Sequence, residues 1–392
     1  MEQTPFRLNV ARRSLNLAGK VDLTTSKTTN VSVGGSFDYR DGRDYSRNRS
    51  MFNSDMNPQR IDKTWRVYGR FTQRFENSTD EENPSLIRDA FVSFQVDYSN
   101  FDNVVQNEKH KDNLSHYGYI GKFTTTFETT YDEVDSVFVL NANGDTISKE
   151  FGYLSNQNSI LYSYEAGDLN PILSNYTTNY YNVYANDPED HWDDINSVRT
   201  GGGLVNGDAP ASVYDLFTSM GTVSNGYSKQ QLAQFRVSAQ GSATIKDHAI
   251  KLGFEYEQRD DRFYSVAPRT LWNLGRQLVN AQIAQRDFTV GTFTQEEWTG
   301  GFDRYTFSQA YNPDAHSTFD KNLRQSLGLA ENGTEWIDFD SYGPDVWNIG
   351  MFSPDELITN GGFVNNFGYD HTGQKLSGNP SLDDFFLSLI HI

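Results

Sequence analysis

The chain has 392 residues, with 52 acidic and 33 basic side chains, a formal net charge of −19 and no cysteine. This acidity argues against a nucleic-acid partner, because phosphate binding requires concentrated Lys and Arg. The absence of cysteine excludes disulfides, thiol catalysis and thiolate metal sites.

Aromatic residues make up 14% of the chain, although the hydrophobic fraction is only 36%. An apolar band one side chain thick, flanked by aromatic girdles, accounts for both figures. No segment approaches the ~20 consecutive apolar residues of a membrane-spanning helix. A closed barrel is the other architecture that satisfies every backbone polar group in lipid.

The first predicted elements are two strands joined by a turn at residues 26–30. Apolar side chains occupy alternate positions in both strands, and small or polar ones lie between them; the apolar set is Leu15, Leu17, Val21 and Leu23, then Val31, Val33, Phe37 and Tyr39. A period of two places the two sets on opposite faces. An apolar face toward lipid and a polar face toward a wet lumen is typical of outer-membrane barrel strands.

Six further strands are predicted from the same alternation, at residues 65–75, 92–98, 117–127, 160–164, 235–243 and 250–256. Short turns at 26–30 and 246–249 contrast with long segments at 41–61, 167–231 and after 261, the asymmetry expected of periplasmic turns and exterior loops. If the strand count is right, residues 129–151 should lie on the same side as the short periplasmic turns, but this segment is long. Their Val137–Val139 run and Asn143-Gly144 turn predict a small extra hairpin there.

The last third has helical spacing instead, with apolar residues at Leu271, Leu274 and Leu278 and again at Phe319, Leu323 and Leu327. Ser353-Pro354-Asp355-Glu356 predicts a helix start with a capping box. We expect a very large exterior loop with short helices here.

The predicted fold is all-β: a partial antiparallel transmembrane β-barrel of about eight strands from a larger barrel, with long extracellular loops that contain short helices. Residues 1–263 would form the partial barrel with its loops, and residues 264–386 a truncated extracellular loop region. The last six residues, 387–392, read like a translated sequencing adapter, with a genuine short apolar tail as the alternative. The start has no basic and apolar leader, so we expect an internal fragment.

Candidate chemistry is sparse. An acidic stretch could hold Ca²⁺, but its spacing fits no calcium loop and favours a solvated acidic loop; its members are Asp187, Glu189, Asp190, Asp193 and Asp194. No HExxH spacing, nucleophile with its base or distinct glycosidase carboxylate pair stands out. We therefore predict no enzyme activity, no bound metal and no cofactor.

Basic residues on the polar side of the predicted strands could line a solute path, with ordinary ion pairing inside a lumen as the more conservative interpretation. These residues are Arg66, Arg70, Arg74, Lys122, Arg236 and Arg259.

Several short stretches carry a family resemblance. They are Asn57-Pro58-Gln59-Arg60 leading into residues 65–75, His110-Lys111-Asp112-Asn113, Tyr117-Gly118-Tyr119, Ile245-Lys246-Asp247-His248, residues 254–259 and residues 352–357. Together they resemble the barrel region of TonB-dependent receptors of the Bacteroidetes type, which carry an N-terminal carboxypeptidase-regulatory-like domain. The resemblance extends over nearly the whole chain up to Phe386.

The resemblance implies a plug domain inside a barrel of about 22 strands and import driven by an inner-membrane coupling complex. The expected function is energy-coupled uptake of a large, unidentified nutrient across the bacterial outer membrane. Expected partners are outer-membrane lipid, the solute, the TonB complex acting through a plug that lies outside this sequence, and a surface lipoprotein as a lid.

Two alternatives remain. One is a non-transporting surface β-protein that binds glycan or protein through aromatic-rich loops, and the other is a soluble secreted enzyme on a β-sandwich. The barrel predicts one open sheet whose outer face carries Leu17, Val33, Phe71, Phe94, Phe235 and Phe254. A sandwich would divide these side chains between two packed sheets and would lack such long loops.

Overall fold

The computed structural model describes residues 8–49, 53–76, 86–141, 143–184, 195–211, 220–287, 293–296, 303–359 and 362–376. The long strands are β1 (Arg12–Thr24), β2 (Thr29–Arg43), β3 (Gln59–Arg74), β4 (Ile87–Gln106), β5 (Gly121–Leu140), β6 (Thr146–Ala166), β7 (Tyr227–Ile245) and β8 (His248–Val266). Short strands are β9 (Gln285–Arg286), β10 (Phe293–Glu296), β11 (Asp303–Phe307), β12 (Gln309–Ala310) and β13 (Val364–Phe367). The helices are α1 (Pro171–Tyr184), α2 (Ile195–Thr200), α3 (Thr270–Leu278) and α4 (Thr318–Ser326).

A seven-stranded antiparallel sheet, the main sheet, forms the body of the protein in the order β1-β2-β3-β4-β7-β8-β13. Residues 25–28, 75–86 and 246–247 connect its strands at one end, which we call the turn end. Residues 44–58, 107–226 and 267–363 connect them at the opposite loop end. The short turns predicted at 26–30 and 246–249 are therefore confirmed at one end, and the long segments predicted at 41–61, 167–231 and after 261 contribute to the connections at the other.

The predicted strands at 117–127 and 160–164 are not in the main sheet, since β4 pairs directly with β7. Residues 121–140 and 146–166 instead form the β5–β6 hairpin, in a second sheet of order β10-β11-β6-β5. Tyr117 lies in a 3₁₀ turn, where its hydroxyl donates to the Lys111 carbonyl over 2.7 Å. Tyr117 and Phe123 are both fully buried, so the alternation at 117–127 reflects protein packing. The predicted count of about eight strands in one sheet was therefore wrong.

The extra hairpin predicted near residues 137–144 is the tip of the β5–β6 hairpin. The Asn141 side-chain oxygen accepts hydrogen bonds from the backbone N–H groups of Asn143 and Asp145, both over 2.9 Å, as in an Asx-turn. Because both strands belong to the long connection at the loop end, residues 129–151 need not lie at the turn end.

The largest hydrophobic core lies at the loop end. The described parts of residues 107–226 and 267–363 form what we call the loop-end layer. Phe319 of α4 stacks on Phe352 with ring centroids 4.0 Å apart, and Trp272 of α3 meets Trp347 edge-on at 5.1 Å. The helices predicted around residues 271–278 and 319–327 are confirmed as α3 and α4.

The predicted capping box is also confirmed. The Ser353 backbone N–H donates to Glu356 Oε2 over 2.7 Å, and the Glu356 N–H donates to Ser353 Oγ over 3.3 Å. The turn that follows is a short π-helical segment, Asp355–Thr359. Helices thus supplement strands in this layer, and the fold is mostly β.

Candidate functional site

One face of the main sheet is apolar and uncovered. Across neighbouring strands, Phe71 pairs with Phe94, Phe94 pairs with Ala239 and Ala239 pairs with Phe254, so these side chains share that face. The six residues predicted for the outer face all lie on it and are 38–64% exposed; they are Leu17, Val33, Phe71, Phe94, Phe235 and Phe254. This prediction is confirmed. A sandwich would divide these six side chains between two packed sheets, and their position on one face of one sheet contradicts that alternative.

This apolar face ends in aromatic residues toward the loop end. Trp65 lies beside Tyr98 on the neighbouring strand, with ring centroids 5.3 Å apart. Two residues further along β3 toward the loop end, Lys63 pairs across the strands with Asp102. On β3 and β4 the outward face therefore changes from aromatic to charged within one side-chain repeat, and the apolar pair Ile61 and Val104 follows in the next row toward the loop end. We call the apolar part below this boundary the apolar band.

The opposite face carries polar and charged side chains. Arg66 Nη2 lies 3.1 Å from Asp97 Oδ1, and Arg236 Nε lies 3.1 Å from Asp97 Oδ2, so Asp97 is shared by cations on β3 and β7. Arg70 Nε donates to Gln95 Oε1 over 2.8 Å. The polar positions predicted for these three arginines agree with the register.

Two further predicted arginines lie on the same polar face. Arg74 is exposed at the turn end of β3, and Arg259 forms an ion pair with Glu257 on β8. The prediction for Lys122 was wrong, because Lys122 belongs to β5 and not to the main sheet. Its strand contributes Phe123 to a core with α1, which explains the misleading alternation.

The acidic residues considered for Ca²⁺ all fall at residues 187–194, outside the described part of the chain. Among the described residues, no group of three or more His, Asp or Glu side chains is arranged to hold a metal ion. No helix in these segments has the length and apolar character needed to cross a membrane.

A cleft of about 640 Å³ lies on the outward face at the loop end. Its walls include Lys63 from β3, Lys229 from β7 and Lys375 from the segment after β13. Sequence alternation could have placed Lys63 and Lys229 on one face near the loop end. It contained no signal for Lys375, which reaches the cleft only because residues 368–376 fold back over β7 and β8.

Comparison with protein-family models gives no match, and comparison with curated proteins gives none. Two solved structures share limited similarity. A chain described as a pore forming protein is 7% identical, with 65% of this chain and 93% of that chain covered and a TM-score of 0.12. Clostridium perfringens delta-toxin is 8% identical, with 66% and 91% covered and a TM-score of 0.11. Scores this low carry no argument about fold or function.

Proposed function

We propose that this chain is part of the outer-membrane barrel of a TonB-dependent transporter that imports a large solute into a bacterium. The observation that carries the proposal is the apolar band, which lies exposed on one face of a sheet whose other face is polar. Soluble monomers rarely expose contiguous apolar patches larger than a few hundred Å². Contact with lipid removes the cost of exposing these apolar side chains to water, while water in a lumen solvates the opposite face.

The dimensions of the apolar band support a membrane location. On β1 the apolar positions extend from Leu15 to Leu23, which is about 27 Å along the strand at ~3.4 Å per residue and roughly 21 Å in height at a strand tilt of about 40°. Outer-membrane barrels present an apolar band about 25 Å tall, bounded by aromatic girdles. Trp65 and Tyr98 occupy the position of such a girdle at the loop-end boundary.

The edges of the main sheet support membership in a larger barrel. Among the described strands, β1 pairs only with β2, and β8 pairs beyond β7 only with the four residues of β13. Unpaired backbone N–H and C=O groups are costly in lipid, where only closed barrels and helices satisfy them. Additional strands from the same protein would complete this pairing.

In this proposal the polar face lines the lumen, where Arg66, Asp97 and Arg236 form a fixed charged wall. The loop-end layer faces the exterior and captures the solute, because exterior loops on a rigid barrel are the usual site of recognition. The partners are outer-membrane lipid, the solute, the TonB complex through a plug domain and a lipoprotein lid. No enzymatic step is included.

The membrane location is tested by purifying the product of the complete reading frame that contains this chain with and without an uncharged maltoside detergent, because the edges of the main sheet need further strands to pair with. We expect a folded, monodisperse species only with detergent, measured by circular dichroism and light scattering. A compact, folded monomer in detergent-free buffer would overturn the proposal.

A non-transporting surface protein is the second candidate, favoured by exposed aromatic side chains of the loop-end layer such as Tyr311 and Trp336. Uptake distinguishes the two in cells that express the complete reading frame containing this chain. A transporter accumulates solute only while the inner membrane is energised, so an uncoupler abolishes accumulation. A surface binder retains the same amount of solute with or without the uncoupler.

A further inference from the structure

The outward cleft at the loop end, which we call the lysine cleft, is lined by more cations than carboxylates although the whole chain is acidic. Lys63, Lys229 and Lys375 line it together with a single carboxylate, that of Asp102. Asp102 accepts hydrogen bonds from the side-chain amides of Asn100 and Gln231. In the described part of the chain, none of the three ammonium groups has a carboxylate oxygen within 4.0 Å. The lining of the cleft therefore holds three cations and one carboxylate in a protein of net charge −19, although the carboxylates of Asp370 and Asp112 lie near enough to attract Lys229.

The position of Lys229 is fixed by aromatic rings. Its Nζ lies 5.5 Å from the Tyr264 ring centroid and 5.0 Å from that of Tyr369, within the range of cation–π attraction. Both tyrosines are almost fully buried. The ammonium group is thus held in place by neutral rings. Burial lowers the pKa of Lys229 and the carboxylates of Asp370 and Asp112 oppose that shift, while no carboxylate among the described residues makes a direct ion pair with it, so an anion in the cleft can do so.

The segment carrying Lys375 is held over the same face. The Asp370 side chain accepts hydrogen bonds from the backbone N–H groups of Thr372 and Gln374, over 2.9 and 2.8 Å. Gly373, between them, has φ of +84° and lies so close to the sheet that a Cβ would stand 3.1 Å from the Tyr264 ring. Tyr369 and Lys375 are bridged by backbone pairing. This compact turn positions Lys375 beside the two sheet lysines.

The cleft also has a defined height relative to the apolar band. Lys63 lies two residues beyond Trp65 on β3, about 7 Å at ~3.4 Å per residue, and its side chain points to the same outward face. Lys229 lies one outward row further, opposite Val104. Cations at this distance from hydrocarbon meet lipid headgroups, whose phosphates attract Lys and Arg near the surface.

We propose that this cleft binds the phosphate-bearing headgroup of a lipid in the exterior leaflet, with its acyl chains lying along the apolar band. This inference rests on the proposed membrane location. The chemistry recognised is a phosphate group on an amphiphile, held by three ammonium groups.

The test uses the product of the complete reading frame that contains this chain, in uncharged, phosphate-free maltoside micelles. Dihexanoyl phosphatidic acid is the probe, with dihexanoylglycerol and inorganic phosphate as separate arms. Binding is measured by calorimetry, and the lysines contacted are identified by their protection from acetylation, read by mass spectrometry. The variants are Lys63→Gln, Lys229→Gln and Lys375→Gln, and Lys251→Gln is the matched control because Lys251 lies on β8, across from Ser242 at the turn end.

We expect phosphatidic acid to bind and to protect the three cleft lysines but not Lys251. Each cleft substitution should weaken binding about fivefold, the value expected for one Lys near an anionic surface. If circular dichroism shows that the Lys229→Gln variant does not fold, the inference is tested with the Lys63→Gln and Lys375→Gln variants.

Equal protection by dihexanoylglycerol would overturn the inference, as would an equal loss of affinity in Lys251→Gln. Binding of inorganic phosphate as tight as that of phosphatidic acid would also overturn it, since the lipid would then add nothing. If the protein requires detergent but its cleft lysines are not protected, only the lipid site is disproved. If the protein is a folded monomer without detergent, the membrane location itself is disproved.

Discussion

Arg276 and Asp340 form a two-pronged ion pair inside the loop-end layer: Arg276 Nε lies 2.6 Å from Asp340 Oδ2, and Nη2 lies 2.8 Å from Oδ1. Arg276 also donates to the Asn206 carbonyl over 2.9 Å, which ties α3 to the long connection before β7. Burial alone would lower the pKa of Arg276, but the neighbouring Asp340 carboxylate outweighs burial and raises it. The pair therefore joins three separate segments of the layer.

Substitution Arg276→Gln should destabilise the fold by about 3–5 kcal/mol, because removing one partner of a buried pair leaves the other charge uncompensated. The matched control is Arg60→Gln, since Arg60 makes a similar two-pronged pair with Asp44 on the exposed surface. Exposed pairs contribute at most about 1 kcal/mol. Denaturant unfolding in detergent, followed by tryptophan fluorescence, measures both; equal costs would contradict the assigned burial.

The two faces of the main sheet make a matched pair of predictions at neighbouring residues. Val237 lies on the apolar band, in register with Val96 and Tyr256, and Ser238 lies on the polar face opposite Gln95. In bilayers, Val237→Lys should cost about 1–3 kcal/mol, between the values for a cation at mid-bilayer and at the interface, because Val237 lies one side-chain repeat from Phe235, the partner of Tyr98 at the aromatic boundary. Ser238→Lys should cost far less, because its ammonium group enters a solvated face near Glu255.

These two variants are compared by urea unfolding in lipid vesicles. A gain in detergent-free solubility for Val237→Lys, with no loss of stability in vesicles, would show that water and not lipid covers the band.

Strand periodicity predicted β1 to β4, β7 and β8 because the environment of these strands alternates strictly between two faces. The same period failed for β5, since a strand packed on helix α1 also alternates. There Phe123 is buried against Leu173 of α1, and the sequence pattern does not distinguish burial under protein from burial in lipid.

The polar-face cluster was only partly predictable. Arg66 and Arg236 could be placed on the correct face from their own strands. Their convergence on Asp97 depends on the register of β4 against β3 and β7, which no single strand encodes. The lysine cleft depends in addition on the fold of residues 368–376. The turn in this segment is formed by neighbouring residues and could be predicted, but its position against β7 and β8 depends on residues far away in the sequence.

The partly buried carboxyl group of Asp338 should make the stability of the fold depend on pH. A β-bulge at Thr124 and Thr125 accompanies a hydrogen bond from the Thr125 N–H to Asp338 Oδ2, 2.7 Å long. Burial nevertheless raises the pKa of Asp338 to about 6 from its ordinary value of 3.8. The fold therefore favours the protonated acid, and this residue's contribution to stability falls as pH rises from about 4 through 6.

Asp338→Asn removes that titration. Its stability relative to the unsubstituted chain should therefore increase between pH 4 and pH 7, most steeply near pH 5, midway between the unfolded and folded pKa values, and should level off above the folded pKa of about 6. Unfolding free energies of both proteins across this range measure the difference. Asp314→Asn, at an exposed position in the same layer, is the control. A pH-independent difference for Asp338→Asn would contradict the assigned pKa.

Glu356 accepts from three backbone N–H groups at the starts of two helical segments. Oε1 accepts from Thr318 and Phe319 of α4, over 2.7 and 3.2 Å, and Oε2 accepts from Ser353 over 2.7 Å. Helix starts leave such N–H groups without intrahelical partners, and a negative side chain there also favours the helix dipole. One carboxylate thus links α4 to residues 353–359, next to the stacked rings of Phe319 and Phe352.

Glu356→Ala should cost about 2–3 kcal/mol, because it leaves buried donors unsatisfied at two helix starts. Glu356→Gln should cost less than alanine but still destabilise, since its amide NH₂ group replaces one accepting oxygen and faces a donor. Ser317→Ala, which removes the N-cap of α4 and the hydrogen bond from Ser317 Oγ to the Leu278 carbonyl, should cost about 1–2 kcal/mol. Denaturant unfolding orders the three variants. If Glu356→Ala proved no more costly than Ser317→Ala, Glu356 would act at one helix only.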